Sequence, residues 1–179
     1  KSTASHAVLP RALRVTTFVN ADVIAAGFAG FAPQVAAIAA GRVMLEQLRQ
    51  LAKERATFGF ESTLASRTFA PWLADLRADG YRLVLVYMWL RSQEIAVARV
   101  QSRVARGGHS VDDQTVRRRY TRSVQNFFRL YLPLADAWRV YDNSGQQPVL
   151  VANGRATGPV RVADPATWTQ LRNAADATP

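Results

Sequence analysis

Residues 82–90 read RLVLVYMWL, an almost unbroken apolar run. A run this short and continuous is the mark of a parallel strand covered on both faces, because a strand with one wet face alternates apolar and polar side chains. Such a strand needs helices packed on its sheet, and the rest of the chain supplies them. Residues 16–22 (TTFVNAD) and 57–63 (TFGFEST) also read as strands, from their Thr, Phe and Val content. Between them Val35, Ile38, Leu45, Leu48 and Ala52 recur at helical spacing up to about Arg55, and Pro33 suits a helix first turn. Residues 66–77 repeat the pattern with Phe69, Leu73 and Leu76 on one face, and Asp79-Gly80 reads as the stop. Strands alternating with helices predict an α/β chain built on a mainly parallel sheet.

The remaining segments fit that scheme. Residues 2–13 read as a short helix, and residues 23–31, with Gly27 and Gly30, as a loop or a helical turn plus loop. Residues 93–106 and 112–131 are helical on either side of Gly107-Gly108. Two short strands, residues 138–142 (WRVYD) and 149–152 (VLVA), flank the turn Asn143-Ser144-Gly145. Asp164 is placed to cap a last helix running to about Ala175. With 179 residues, 49% of them hydrophobic, one domain with a substantial core is expected over residues 1–179. The chain has no cysteine, which excludes a disulfide framework and thiolate metal sites. Its two histidines, His6 and His109, form no zinc-protease spacing, and His109 reads as a turn residue before a phosphate donor. No apolar run approaches the roughly 18 residues that span a bilayer. The expectation is no membrane partner and a cytoplasmic location.

Function enters through charge and through the strand exits. Twenty-three Lys and Arg against thirteen Asp and Glu give a formal charge of +10, so an anionic partner is expected: nucleic acid, nucleotide or sugar phosphate. In an open α/β sheet, ligands sit beyond the carboxyl ends of the strands. One strand ends in Asn20 and Asp22, the other in Glu61, Ser62 and Thr63, so two acids would share one rim. Either acid alone is equally well read as a cap for the helix after it. Together, and beside Lys1-Ser2-Thr3, they favour a site. Lys1-Ser2-Thr3 resembles the end of a P-loop, GxxxxGK[ST], whose lysine and amides hold phosphates and whose hydroxyl ligates magnesium. By itself the tripeptide also reads as a solvated terminus, because neither the glycines nor the strand of a P-loop stand with it.

Residues 93–131 are the basic part of the chain. Arg99, Arg103 and Arg106 form one helical stripe, with Val97, Val100 and Val104 on a packing arc. After the double glycine, Arg118, Arg122 and Arg129 fall on one side, and Val116, Tyr120, Val124, Phe127 and Tyr131 on the other. Between Arg99 and Arg129 only Asp112 and Asp113 are acidic, against eight arginines, whereas solvated helices normally mix both signs. Arginine-striped helices around a double glycine read as a lid over phosphates. Trp72, Trp89, Trp138 and Trp168 read as core or rim, since no alternation of aromatic and basic residues marks a base-stacking platform.

The segments FVNAD, FGFESTL, the apolar strand ending in WL, RGGH, RRRY and YLPLAD–W–YDNSG, in this order, resemble the zeta toxin-like P-loop kinases from Lys1 to about Gly145. The resemblance implies a three-layer P-loop kinase-like fold with strand order 2-3-1-4-5, the first strand missing and residues 57–61 beside its place. Residues 93–131 would form the arginine-rich lid and the helix after it. It implies ATP and Mg2+ as cofactors, a sugar-nucleotide-like acceptor such as UDP-N-acetylglucosamine phosphorylated on the sugar 3′-hydroxyl, and an antitoxin partner. Lys1 would be the P-loop lysine, Ser2 the magnesium-ligand hydroxyl and Thr3 its neighbour at the ATP. Asp22 would be the base. Asn20, Glu61, Ser62 and Thr63 would bind the acceptor, with Glu61 also near the metal. Arg106 and Arg99 or Arg103 would be the lid arginines, and Arg106 and Arg118 would meet ATP. The family members acting on the sugar nucleotide carry an arginine where this chain has Ala65, so Arg67 is the candidate substitute. The alternatives are a basic nucleic-acid-binding protein or polynucleotide kinase, and an inactive nucleotide-binding scaffold.

Overall fold

The apolar run forms strand β3 (Val84–Trp89), paired in parallel with β4 (Ala137–Asp142) in register from Val84↔Ala137 to Trp89↔Asp142. It belongs to the second of two compact units, Lys1–Ser62 and Thr63–Pro179. The computed structural model describes residues 15, 17–27, 33–105, 108 and 110–177. The helix expected over residues 2–13, and Lys1, Ser2, Thr3, Arg106, Gly107 and His109, lie outside these.

The first unit contains β1 (Thr17–Val19), α1 (Ala21–Gly27), α2 (Pro33–Lys53) and β2 (Phe58–Phe60). β1 and β2 are parallel, with Thr17 opposite Phe58 and Val19 opposite Phe60. The strand expected over residues 16–22 is shorter, and from residue 23 the described residues follow the helical one of the two expected forms, for one reason. Asn20 starts α1, its carbonyl accepting from the Ile24 amide at 3.1 Å and its side chain from the Asp22 amide at 2.8 Å. α2 buries Ala40, Met44 and Leu48, four residues apart, which turns Ile38 outward; that correction shows the apolar stripe to be broader than the buried one.

The second unit runs α3 (Phe69–Ala78), β3, α4 (Gln93–Val104), α5 (Asp113–Asn126), a π-helical turn (Phe127–Tyr131), β4, β5 (Val149–Arg155), β6 (Arg161–Val162) and α6 (Pro165–Asp176). α3 buries Leu73 and Leu76 and stops where foreseen. Gly80 takes a φ of +92°, and the Tyr81 amide reaches back to the Leu76 carbonyl at 2.9 Å. α6 is capped by Asp164, whose carboxylate accepts from the Thr167 amide at 3.1 Å. The class is mixed α/β as expected, but this sheet, in the order β3-β4-β5-β6, is less parallel than the alternation of elements predicted. β4–β5 and β5–β6 are antiparallel. The turn between β4 and β5 is too short for the crossover of about a dozen residues that parallel strands require. β6 has no signature in the sequence because two residues show no alternation.

The core of this unit is aromatic. Tyr87 stacks on Phe127 with centroids 4.3 Å apart, and Trp138 stacks on Trp168 at 5.8 Å. The buried Trp89 indole donates to the Tyr120 hydroxyl at 3.1 Å, which donates to the Leu90 carbonyl at 2.8 Å. Gly154 lies under Trp138, where a Cβ would come within 2.6 Å of the indole. Gly154→Ala is therefore expected to lower stability by about 1–3 kcal/mol through overpacking. Gly41→Ala, in α2 with nothing within 4 Å, should raise it by about 0.5–1 kcal/mol through helix propensity. Urea midpoints that moved the same way in both variants would contradict this packing.

Candidate functional site

Register places the first group of candidate residues. With Val19 opposite Phe60, the next positions are Asn20 and Glu61, and the Glu61 amide reaches the Val19 carbonyl at 3.4 Å. Asn20 is 7% exposed, and both ends of its amide are used. Nδ2 donates to Glu61 Oε2 at 2.9 Å, while Oδ1 accepts from the Asp22 amide. The cap of α1 is thus Asn20. Asp22 is in the first turn, its side chain exposed.

In the second unit, Thr63 and Arg67 are exposed on the segment before α3. The Thr63 hydroxyl accepts from the Ala65 amide at 3.4 Å, and Ser66 and Thr68 share a hydroxyl hydrogen bond of 2.7 Å. α4 and α5 run antiparallel, joined by Gln93 to Thr121 (3.1 Å), Arg117 to Glu94 (2.6 Å) and Gln101 to Asp113 (3.4 Å). The hydrogen bond from Arg117, then the Glu94 backbone amide and Ser92, hold the Glu94 carboxyl down at about 2. The faces divide as the spacing predicts. Val116, Val124, Phe127 and Tyr131 are buried, and Arg118, Arg122 and Arg129 are exposed. Arg118 donates to the Thr115 hydroxyl at 3.2 Å, and Arg103 is exposed at the end of α4. Arg99 sits elsewhere: its guanidinium donates to the carbonyls of Asn143 and Gly145 in the turn after β4.

Sequence reasoning did not find the cluster beside that turn. Arg91 donates from Nε to Asp142 Oδ2 at 2.7 Å and from Nη2 to the Thr167 hydroxyl at 3.2 Å, while its amide donates to Ser144 Oγ at 2.9 Å. Asp142 also accepts from the Ser144 amide at 2.9 Å. The available signal was Asp-Asn-Ser-Gly after a strand, an Asx turn in which the carboxylate meets the amide two residues on. Burial would raise the Asp142 carboxyl, but the Ser144 hydroxyl and amide and then the Arg91 guanidinium outweigh it and hold it below its ordinary value.

The family model for Zeta toxin matches residues 29–154. The chain belongs to the zeta toxin family. A protein of Haemophilus influenzae (strain Rd), described only as uncharacterized, is 29% identical over 106 residues, which is 59% of this chain and 76% of that relative. No solved structure matches the chain. Zeta toxin membership supports an ATP-dependent, kinase-like enzyme. No helix among the described residues is long and apolar enough to cross a membrane.

Mg2+ bound with phosphates keeps several waters and uses one or two protein carboxylates. Among the described residues no group of three or more acids or histidines gathers. Glu61, one of whose oxygens is steadied by Asn20, has the chemistry of a single-carboxylate contribution. Near the turn after β4, stability is tied to pH. A carboxyl lowered by folding stabilises above about 3.9, and that contribution is lost as pH falls through the folded value. Asp142→Asn should therefore lower stability at neutral pH by about 1–3 kcal/mol and flatten the acid limb of urea unfolding below about pH 4. Wild type and variant curves that stay parallel from neutral to acid pH would contradict it.

Proposed function

We propose that the chain is a Mg2+- and ATP-dependent phosphotransferase that moves the γ-phosphate of ATP to a hydroxyl of a small, sugar-nucleotide-like acceptor, with UDP-N-acetylglucosamine the first candidate. The observation that carries the reading is the Asn20–Glu61 hydrogen bond across the exits of two parallel strands, with Asp22 next to it. Because Asn20 caps α1, the Asp22 carboxylate is not required for that task. In this reading Asp22 accepts the proton of the attacking hydroxyl, and Asn20, Glu61, Ser62, Thr63 and Arg67 bind the acceptor. Lys1, Ser2 and Thr3 hold the ATP phosphates, with Arg106 and Arg118. Ser2 and Glu61 take the magnesium ion, which when bound neutralises phosphate charge. Arg106 and Arg99 or Arg103 meet the charge that develops in transfer. A 2-3-1-4-5 strand order belongs to the same reading, and the parallel pairings β1–β2 and β3–β4 support it. Residues 93–131 form the arginine-rich lid and the helix after it in this reading. A cytoplasmic location and an antitoxin partner belong to the same reading.

The exposed row Arg118, Arg122 and Arg129 favours one rival, a polynucleotide partner. An affinity for generic oligonucleotide that falls steeply with salt is the mark of that rival.

The base assignment has a sharp test. Asp22→Asn keeps shape and helix start, since Asn and Asp serve helix N-termini about equally. It cannot accept a proton, so acceptor phosphorylation should fall at least roughly 10²-fold with folding and ATP binding retained. A fully active variant would remove Asp22 from catalysis. For the lid, Arg106→Ala should lower kcat far more than it raises KM for ATP, and Arg129→Ala should do little. Equal losses in the two would mean a diffuse basic surface.

A further inference from the structure

Leu64 is a buried leucine with a φ of +57°, in the left-handed region where a side chain costs about 1–2 kcal/mol. Such a conformation persists only where its surroundings over-determine it. Two side chains, one from α5 and one from the π-helical turn that continues it, do so here. The buried Asn126, the last residue of α5, donates from Nδ2 to the Leu64 carbonyl at 2.8 Å. Tyr131, the last residue of the π-helical turn, donates its hydroxyl to the Ser66 carbonyl. Residues five apart on an α-helix differ by about 140° and face different ways. The π-helical turn changes that: the Leu132 amide bonds the Phe127 carbonyl five residues back at 2.8 Å, so winding widens and residues five apart come round to one side. Asn126 and Tyr131 thereby reach two carbonyls of one loop. Burial raises the Tyr131 hydroxyl above its ordinary value, which keeps it a donor at any physiological pH.

We infer that Asn126 and Tyr131 are positioning residues that fix the loop Leu64–Ser66, and with it the flanking Thr63 and Arg67, in the form that receives the acceptor. The inference rests on the phosphotransferase reading for what the loop receives. It adds a function to the π-helical turn, which packing alone does not need, since a regular helix would also bury Phe127 and Tyr131. It also makes α5 one rod, joined to α4 at its start and to the acceptor loop at its end.

The test uses the full chain and its Tyr131→Phe variant, which removes only the hydroxyl, with Asn126→Leu as a second variant. Two quantities are read: hydrogen exchange of the amides of residues 64–68, and KM for UDP-N-acetylglucosamine beside KM for ATP. The expected result is faster exchange in residues 64–68 and a KM for the acceptor raised roughly 3- to 10-fold, the size of one hydrogen bond, with KM for ATP unchanged. A merely structural role would lower the unfolding midpoint and leave the ratio of the two KM values where it was, and that result overturns the inference. Unchanged exchange in Tyr131→Phe also overturns it. If the wild-type chain transfers no phosphate, the phosphotransferase reading fails by itself. The exchange rates then still decide whether the two side chains hold the loop.

Discussion

The larger unit depends on one helical face, from Val116 to Tyr131. Three aromatic contacts of its core are made by that face: Phe127 on Tyr87, Tyr120 on Trp89 and Phe128 on Trp168. The opposite side of the same helix is exposed arginine. A helix with so strong a division has a fixed rotation, because turning it would bury guanidinium groups without partners, at a desolvation penalty of several kcal/mol each. Fixing the rotation fixes what its ends can touch. At the start these are Glu94 and Gln101 of α4, and at the end the carbonyls of Leu64 and Ser66.

Among the described residues of the smaller unit, one buried amide links strand, helix and candidate site. Asn20 follows β1, starts α1 with its carbonyl and its side-chain oxygen, and steadies Glu61 with its side-chain nitrogen. An aspartate in its place would set two carboxylates against each other, and a serine could not reach both partners. This explains why polar chemistry collects at these strand ends. The backbone there is already committed to turning from strand to helix, and the residue that makes the turn also orients its neighbours.

Features that depend on neighbours in sequence were legible, and features that depend on distant pairing were not. The β3 run, the stop at Gly80, the Asp164 cap and the two faces of residues 113–131 are local patterns, and the structure has them. Asn20 was read as a strand residue because its capping bond and its bond to Glu61 are separate facts, the second spanning 41 positions. Arg91 and Asp142 are 51 apart and Asn126 and Leu64 are 62 apart, so nothing in either stretch announces its partner. The mixed direction of the second sheet was not foreseen, because alternation of elements predicts class better than it predicts the direction of any one strand. Arg99 was grouped with Arg103 by spacing, although only the fold shows which of the two reaches the turn after β4.

The most direct measurement of the central claim follows phosphorus rather than structure. The chain is mixed with ATP, Mg2+ and UDP-N-acetylglucosamine, then with other sugar nucleotides, and phosphorus NMR records what becomes of the γ-phosphate. A phosphotransferase of the kind proposed turns ATP into ADP only when acceptor is present, and a new phosphomonoester on the sugar appears in step with the ADP. ATP that stays intact with every acceptor, or that yields free phosphate at one rate with and without them, would contradict the account.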